Sequence, residues 1–156
     1  MSLWDWALEV YARPGVPDTC LVLQDDHGQN TSYLLWAAWS GGLPAEALAQ
    51  GVALAQSWDA TALVPLRQVR RALKASMPPV DDRARERLRQ DVKASELRAE
   101  QVLMEALAGV SGGQGRGGPV LTALREASLA WGSAAPEDLL TTLAQGLGDS
   151  ALPRGR

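Results

Sequence analysis

The residues best suited to chemistry gather in one short stretch. "LQDDHGQNTSYLLWAAW", Leu23 to Trp39, places the only histidine of the chain, His27, after Asp25 and Asp26 and before Asn30, ahead of an apolar run. An imidazole beside a carboxylate is the pair that general acid–base catalysis uses. If residues 19–39 form one helix, about 100° per residue places Leu23, Asp26, His27, Asn30 and Leu34 within an arc of about 100°. The two leucines mark that arc as inward-facing, so its polar groups would enter the core. Glu96 raises the same prospect: in "DVKASELRAEQVL" it shares a helical face with Val92, Ala99 and Leu103, with Glu100 at the edge.

A carboxylate among core residues must be paired, hydrogen-bonded or protonated. Four arrangements satisfy that demand. In the first, Glu96 or Asp26 pairs with Arg67, Arg70 or His27 and locks the long helix to the N-terminal helices, with no ligand required. In the second, His27, Asp26, Glu96 and Glu100 ligate a metal, although a single histidine and the lack of a Glu-x-x-His repeat count against it, so no metal or cofactor is expected. In the third, His27 transfers protons, oriented by Asp26 or Glu96. The fourth is a surface binding site. Cys20 and His27 would lie two helical turns apart, roughly 10 Å along the axis and too far for a direct hydrogen bond, so Cys20 reads as a buried structural cysteine.

The elements that must position these groups are all helical. Ser2 caps a first helix over Leu3–Ala12, with Asp5 completing a weak capping box, and "RPGVPD" stops it. Asp18 is placed to cap a second helix running from about Thr19 to "SGG", Ser40 to Gly42. A third spans Pro44 to Trp58 despite Gly51. Thr61 is placed to cap a short basic helix with Pro65 in its first turns and an apolar stripe of Ala62, Leu66, Val69 and Leu73. "SMPPVDD" breaks the chain before a long helix from Asp81 to Leu107, charged early and apolar late. Two shorter helices follow near Val120–Trp131 and Pro136–Leu147.

The predicted fold class is therefore all-α: an irregular single-domain bundle with a long central helix. Residues 1–108 form the helical core, 109–119 a flexible Gly-rich linker, 120–147 a C-terminal extension packing on the core, and 148–156 a disordered tail. The linker has five glycines after Gly109 within nine residues, and it lacks the lysine and Ser/Thr of a phosphate-binding loop.

Composition narrows the function classes. At 156 residues the chain has the length of one domain, and its aromatic set is six Trp, two Tyr and no Phe, so tryptophan must supply the bulky core anchors. No apolar run reaches the roughly 20 residues that span a bilayer, one cysteine forms no internal disulfide, and acidic residues stand where a secretory signal needs basic ones. These features predict a cytoplasmic protein without membrane contact. Charge is segregated: up to residue 60 one basic residue, Arg13, faces seven acids, whereas Arg67 to Arg98 holds ten basic residues against five acids. Docking of the basic middle on the acidic front explains this polarity within the chain; an external acidic partner or simple solvation explains it otherwise. Nucleic acid is disfavoured, because the tryptophans lie mostly in the acidic half.

Three separated patterns carry a resemblance: "WALEVYARPGVPDTCLVLQDDHGQNTSYLLWAAW", "VPLRQVRRALK" and "VKASELRAEQVL". Over roughly residues 4 to 107 the chain resembles a family of small, Trp-rich helical proteobacterial proteins known as a domain of unknown function. Its L-Q-x-x-x-G pattern is matched by Leu23, Gln24 and Gly28, its E-L-x-A-E pattern by Glu96, Leu97, Ala99 and Glu100, and its basic pattern by Leu66, Arg67, Arg70 and Arg71. Where such proteins commonly carry Asn, this chain has Tyr33. The resemblance implies a helical fold and no particular activity.

The leading expectation is a noncatalytic protein acting through contacts with a protein partner or a second copy of itself as a homodimer. The alternative is a small enzyme or a protein binding a small-molecule ligand through Asp26, His27, Asn30 and Glu96, with Glu100, Arg67 and Arg70 beside them. Convergence of these groups on a solvent-reachable pocket would favour the alternative; a closed, fully paired cluster would not.

Overall fold

The computed structural model describes residues 1–113 and 115–148; from residue 149 on, the expected disordered tail lies outside the described residues. Among those described, the chain forms eight α-helices and no strand. α1 (Leu3–Tyr11) begins as its sequence requires, the Ser2 hydroxyl accepting the Asp5 amide at 3.1 Å and donating to the Asp5 carboxylate at 2.6 Å. α2 (Val16–His27) starts earlier than an Asp18 cap implies: Gly15, at φ +83°, makes the turn, and Pro17 sits in the first helical turn, where a missing N–H costs nothing.

The single helix expected from residue 19 to Ser40 is two. Gly28 adopts φ +62° and ends α2, and Asn30 in extended conformation caps α3 (Thr31–Ser40), its Oδ1 accepting the Tyr33 amide at 2.9 Å. Glycine past a helix end and asparagine at a helix start are strong local stop and start signals, and here they override the apolar periodicity. α3 is apolar on every side, and every residue from Ser32 to Ser40 is buried. Two of its aromatic side chains find partners across the core: the Trp36 indole donates to Ser111 Oγ at 3.0 Å, and the Tyr33 hydroxyl donates to the Ala127 carbonyl at 3.0 Å. Ala127 belongs to α7 (Val120–Trp131), which packs along α3, and α8 (Glu137–Leu147) closes over α7 and α2.

α4 (Ala45–Trp58) does not end where a new helix begins. It passes through one wide π turn, Asp59–Leu63, directly into α5 (Val64–Ala72). Thr61, expected as a cap, instead donates back to the Ser57 carbonyl at 2.8 Å. Pro65 explains the widening: its ring would clash with the carbonyl four residues earlier, that of Thr61, and a π turn moves that carbonyl aside without breaking the run. α6 (Asp82–Val110) is the longest helix, capped by Asp81, whose carboxylate accepts the Ala84 amide at 2.8 Å. Its buried residues begin at Ala99, and α5 has none fully buried, so α5 and the first half of α6 form a charged hairpin that touches the core only at its edge, through Leu66.

Gly51 is the tightest point of the helix packing. A side chain there would run into the Trp36 ring, whereas one at Gly109, exposed on α6, would meet nothing. Gly51→Ala is therefore expected to destabilise the fold by about 1–3 kcal/mol through overpacking, and Gly109→Ala to stabilise it by about 0.4–1 kcal/mol through the unfolded chain. Urea unfolding of both variants checks the opposite signs.

Candidate functional site

Arg67 and Arg70 lie three residues apart on α5, hence on one face, and both reach Glu96 on α6. Arg67 Nε donates to Glu96 Oε1 at 3.2 Å and Arg70 Nε to Glu96 Oε2 at 2.6 Å, with Arg70 Nη2 adding a longer bond of 3.4 Å to Oε1. Each carboxylate oxygen thus has a cationic donor. Arg67 also approaches Glu100 at 3.8 Å, one helical turn further along α6. Burial pushes the Glu100 carboxyl above its ordinary range, with Arg67 pulling the other way and Glu96 adding to the rise.

Asn30 completes the polar strip from the opposite side. While its Oδ1 caps α3, its Nδ2 donates to both oxygens of Asp59, at 2.9 and 3.0 Å. Asp59 opens the π turn, so the irregular backbone and the α3 cap are tied by one amide–carboxylate pair. Burial raises the Asp59 carboxyl, and the Asn30 hydrogen bond and the Arg67 charge hold it back.

Arg67, Asn30 and Glu100 face a pocket of about 120 Å³ between α1, α3 and α6. Trp4, Leu8, Leu35, Leu97 and Met104 make its apolar walls, and Tyr11, Gln24, Thr31 and Ser32 add polar atoms. Of the seven residues singled out from sequence, three therefore line one pocket, and Glu96 and Arg70 form the ion pair adjoining Arg67. Asp26 is exposed and His27 partly so on the last turn of α2, and neither lines the pocket. The Gly28 break explains the separation, because it leaves those two on α2 while Asn30 heads α3. Among the described residues no three His, Cys, Asp or Glu side chains come together to hold a metal ion, so the set of His27, Asp26, Glu96 and Glu100 does not assemble.

Sequence reasoning missed Asp59 as a site residue; the signal was Pro65 inside an otherwise helical run, which marks an irregular turn just before it. Gln24 was visible through the L-Q-x-x-x-G pattern, whereas Thr31 and Ser32 were visible only as polar neighbours of Asn30 and carried no motif of their own.

Cys20 is buried, its thiol pushed up to about 12 by desolvation. Among the described residues, no histidine or carboxylate is hydrogen-bonded to the Thr31 or Ser32 hydroxyl that lines the pocket. The expected docking of the basic middle on the acidic front is nearly absent: among the described residues one ion pair joins them, Arg71 to Asp25 at 3.9 Å, both well exposed. No described helix is long and apolar enough to cross a membrane.

Residues 2–107 match a protein family described as "Protein of unknown function (DUF2390)", a span that contains every residue of the pocket and the ion pairs. No curated protein and no solved structure matches the chain.

Glu96→Gln removes the charge shared by two arginines and is expected to lower stability by about 2–3 kcal/mol, below the roughly 3–5 kcal/mol of a wholly buried pair because Arg70 is a quarter exposed. Chemical denaturation checks it. Glu100→Gln has the opposite sign. A carboxyl whose folded pKa is raised loses stability as pH climbs from its ordinary value of 4.5 through the folded one. The variant should melt higher than the parent at pH 7, with the gap closing as pH falls toward 4.5; a lower melting temperature at both would contradict this.

Proposed function

We propose that this chain, which belongs to the DUF2390 family of proteins of unknown function, is a noncatalytic cytoplasmic binding domain whose pocket takes an apolar side chain from a partner protein. The observation that carries this proposal is the combination of a surface-reaching apolar pocket with ionic groups that, Glu100 apart, are already matched. Glu96 is held by two arginines and Asp59 by Asn30, so the strongest charges brace the site. What they leave at the mouth is apolar: Leu8, Tyr11 and Leu97 are 50%, 43% and 50% exposed around the opening. Contiguous apolar surface beside a concavity is the usual mark of a contact site, and anchor residues filling such pockets dominate interface energetics. The volume suits one bulky side chain, being comparable to cavities that accept a benzene-sized guest.

A photoactivatable benzophenone amino acid placed at Leu97 and irradiated in cells tests this directly. A discrete protein adduct is expected there, lost when Leu8→Asp is added, with none from the same probe at Leu129, which is exposed on α7 outside the pocket. No adduct at Leu97, or the same adducts at both positions, would contradict the proposal. Native mass spectrometry showing a small molecule retained by the wild type and lost in Leu8→Asp would replace the protein partner with a small ligand.

A further inference from the structure

Beyond the pocket, the same cleft continues as a groove between α2 and the α5–α6 hairpin, the two joined through Gln24 and Arg67, which line both. Resting on the proposal of a partner protein, we infer that the segment it presents is acidic, with its apolar anchor in the pocket and its carboxylates along this groove. The groove walls carry Arg67, Arg70, Arg71, Lys74 and Arg89 against one carboxylate, Asp25.

These cations are incompletely used by the fold. Arg71 is 64% exposed and makes only the 3.9 Å contact with Asp25, and among the described residues Lys74 has no ion pair. Arg89 lends one terminal nitrogen to Glu86 at 3.0 Å, but its Nε is buried without a hydrogen-bond partner. Arg89 also lines the groove wall, where a carboxylate from outside would be a charge-assisted partner for its guanidinium. The charge polarity noted in the sequence points the same way: the acidic front leaves the hairpin's positive surface largely uncovered, free to steer an acidic partner.

A nucleic acid fits less well. No aromatic ring lines the groove, so bases find no stacking platform, and Asp25 would oppose a phosphate backbone. Leu21 and Val64, both exposed and both on the groove wall, offer apolar contacts suited to side chains of a peptide.

Panning phage-displayed random peptides on the full-length chain tests this inference. Enriched sequences should pair a bulky apolar residue with several Asp or Glu. Synthetic versions should bind about tenfold more weakly to the Arg71→Glu/Lys74→Glu double variant, and progressively less as salt rises. Both substitutions are at exposed positions, and circular dichroism confirms that the variant keeps its helices. Enriched peptides that need Leu8 but carry no excess of acids would overturn the acidic partner while leaving the pocket proposal standing. Enriched peptides indifferent to Leu8→Asp, together with a silent Leu97 cross-linker, would overturn both. A labelled single-stranded oligothymidylate that binds the wild type and is lost in the double variant would reassign the groove to nucleic acid.

Discussion

One carboxylate shared by two guanidinium groups holds the cleft together. α5 contributes no buried residue, so its position against α6 cannot come from a core of its own. It comes from Glu96 between Arg67 and Arg70, and at the far end from Arg85, which donates to the Leu73 and Lys74 carbonyls at 2.7 and 3.0 Å and so satisfies the last turn of α5. Ion pairs of this kind specify geometry more than they add stability, because each charge must first leave water. Here the geometry they specify is a wall: the fork at Glu96 holds the two arms of the basic hairpin, α5 and α6, against each other.

The opposite end of the wall is fixed by a backbone irregularity. Pro65 forces the α4–α5 run to widen at Asp59–Leu63, and the widened turn carries Asp59 to within hydrogen-bonding reach of the residue that caps α3. Asn30 therefore performs two tasks with one amide. The same strip leaves Glu100 with a single long contact to Arg67, which is why burial governs its titration. Polar Asn30, Arg67 and Glu100 and apolar Leu8, Leu35, Leu97 and Met104 thus line one pocket, whose polar wall is braced by Glu96 and Asp59.

Much of this was legible in the sequence, and the reasons differ by element. Capping chemistry located α1 through Ser2 and Asp5, and proline and glycine breakers separated α6, α7 and α8 from what precedes them; that Asp81 caps α6 came only from the structure. Periodicity placed Glu96 on a buried face beside Arg67 and Arg70 as candidate partners. Periodicity also misled, at residues 19–40, where an even apolar distribution fits one helix and only Gly28 and Asn30 announce two. That error is what made His27 look like a core residue. Asp59 escaped notice because its role depends on a π turn, and a proline in the early part of a helix is equally compatible with an ordinary start.

In the proposed mode of binding, the chain receives a side chain in the cleft bounded by α1, α3 and α6 while the core behind that cleft stays closed. Its six tryptophans make this measurable, since each indole N–H gives a separate resonance in a ¹⁵N–¹H correlation spectrum and Trp4 lines the pocket. On saturation with an acidic, apolar-anchored peptide, the Trp4 indole should shift, while those of Trp36 and Trp131, bonded to Ser111 Oγ and the Gly28 carbonyl, hold their positions. Saturable binding that leaves Trp4 in place and moves the Trp36 or Trp131 resonance would contradict it.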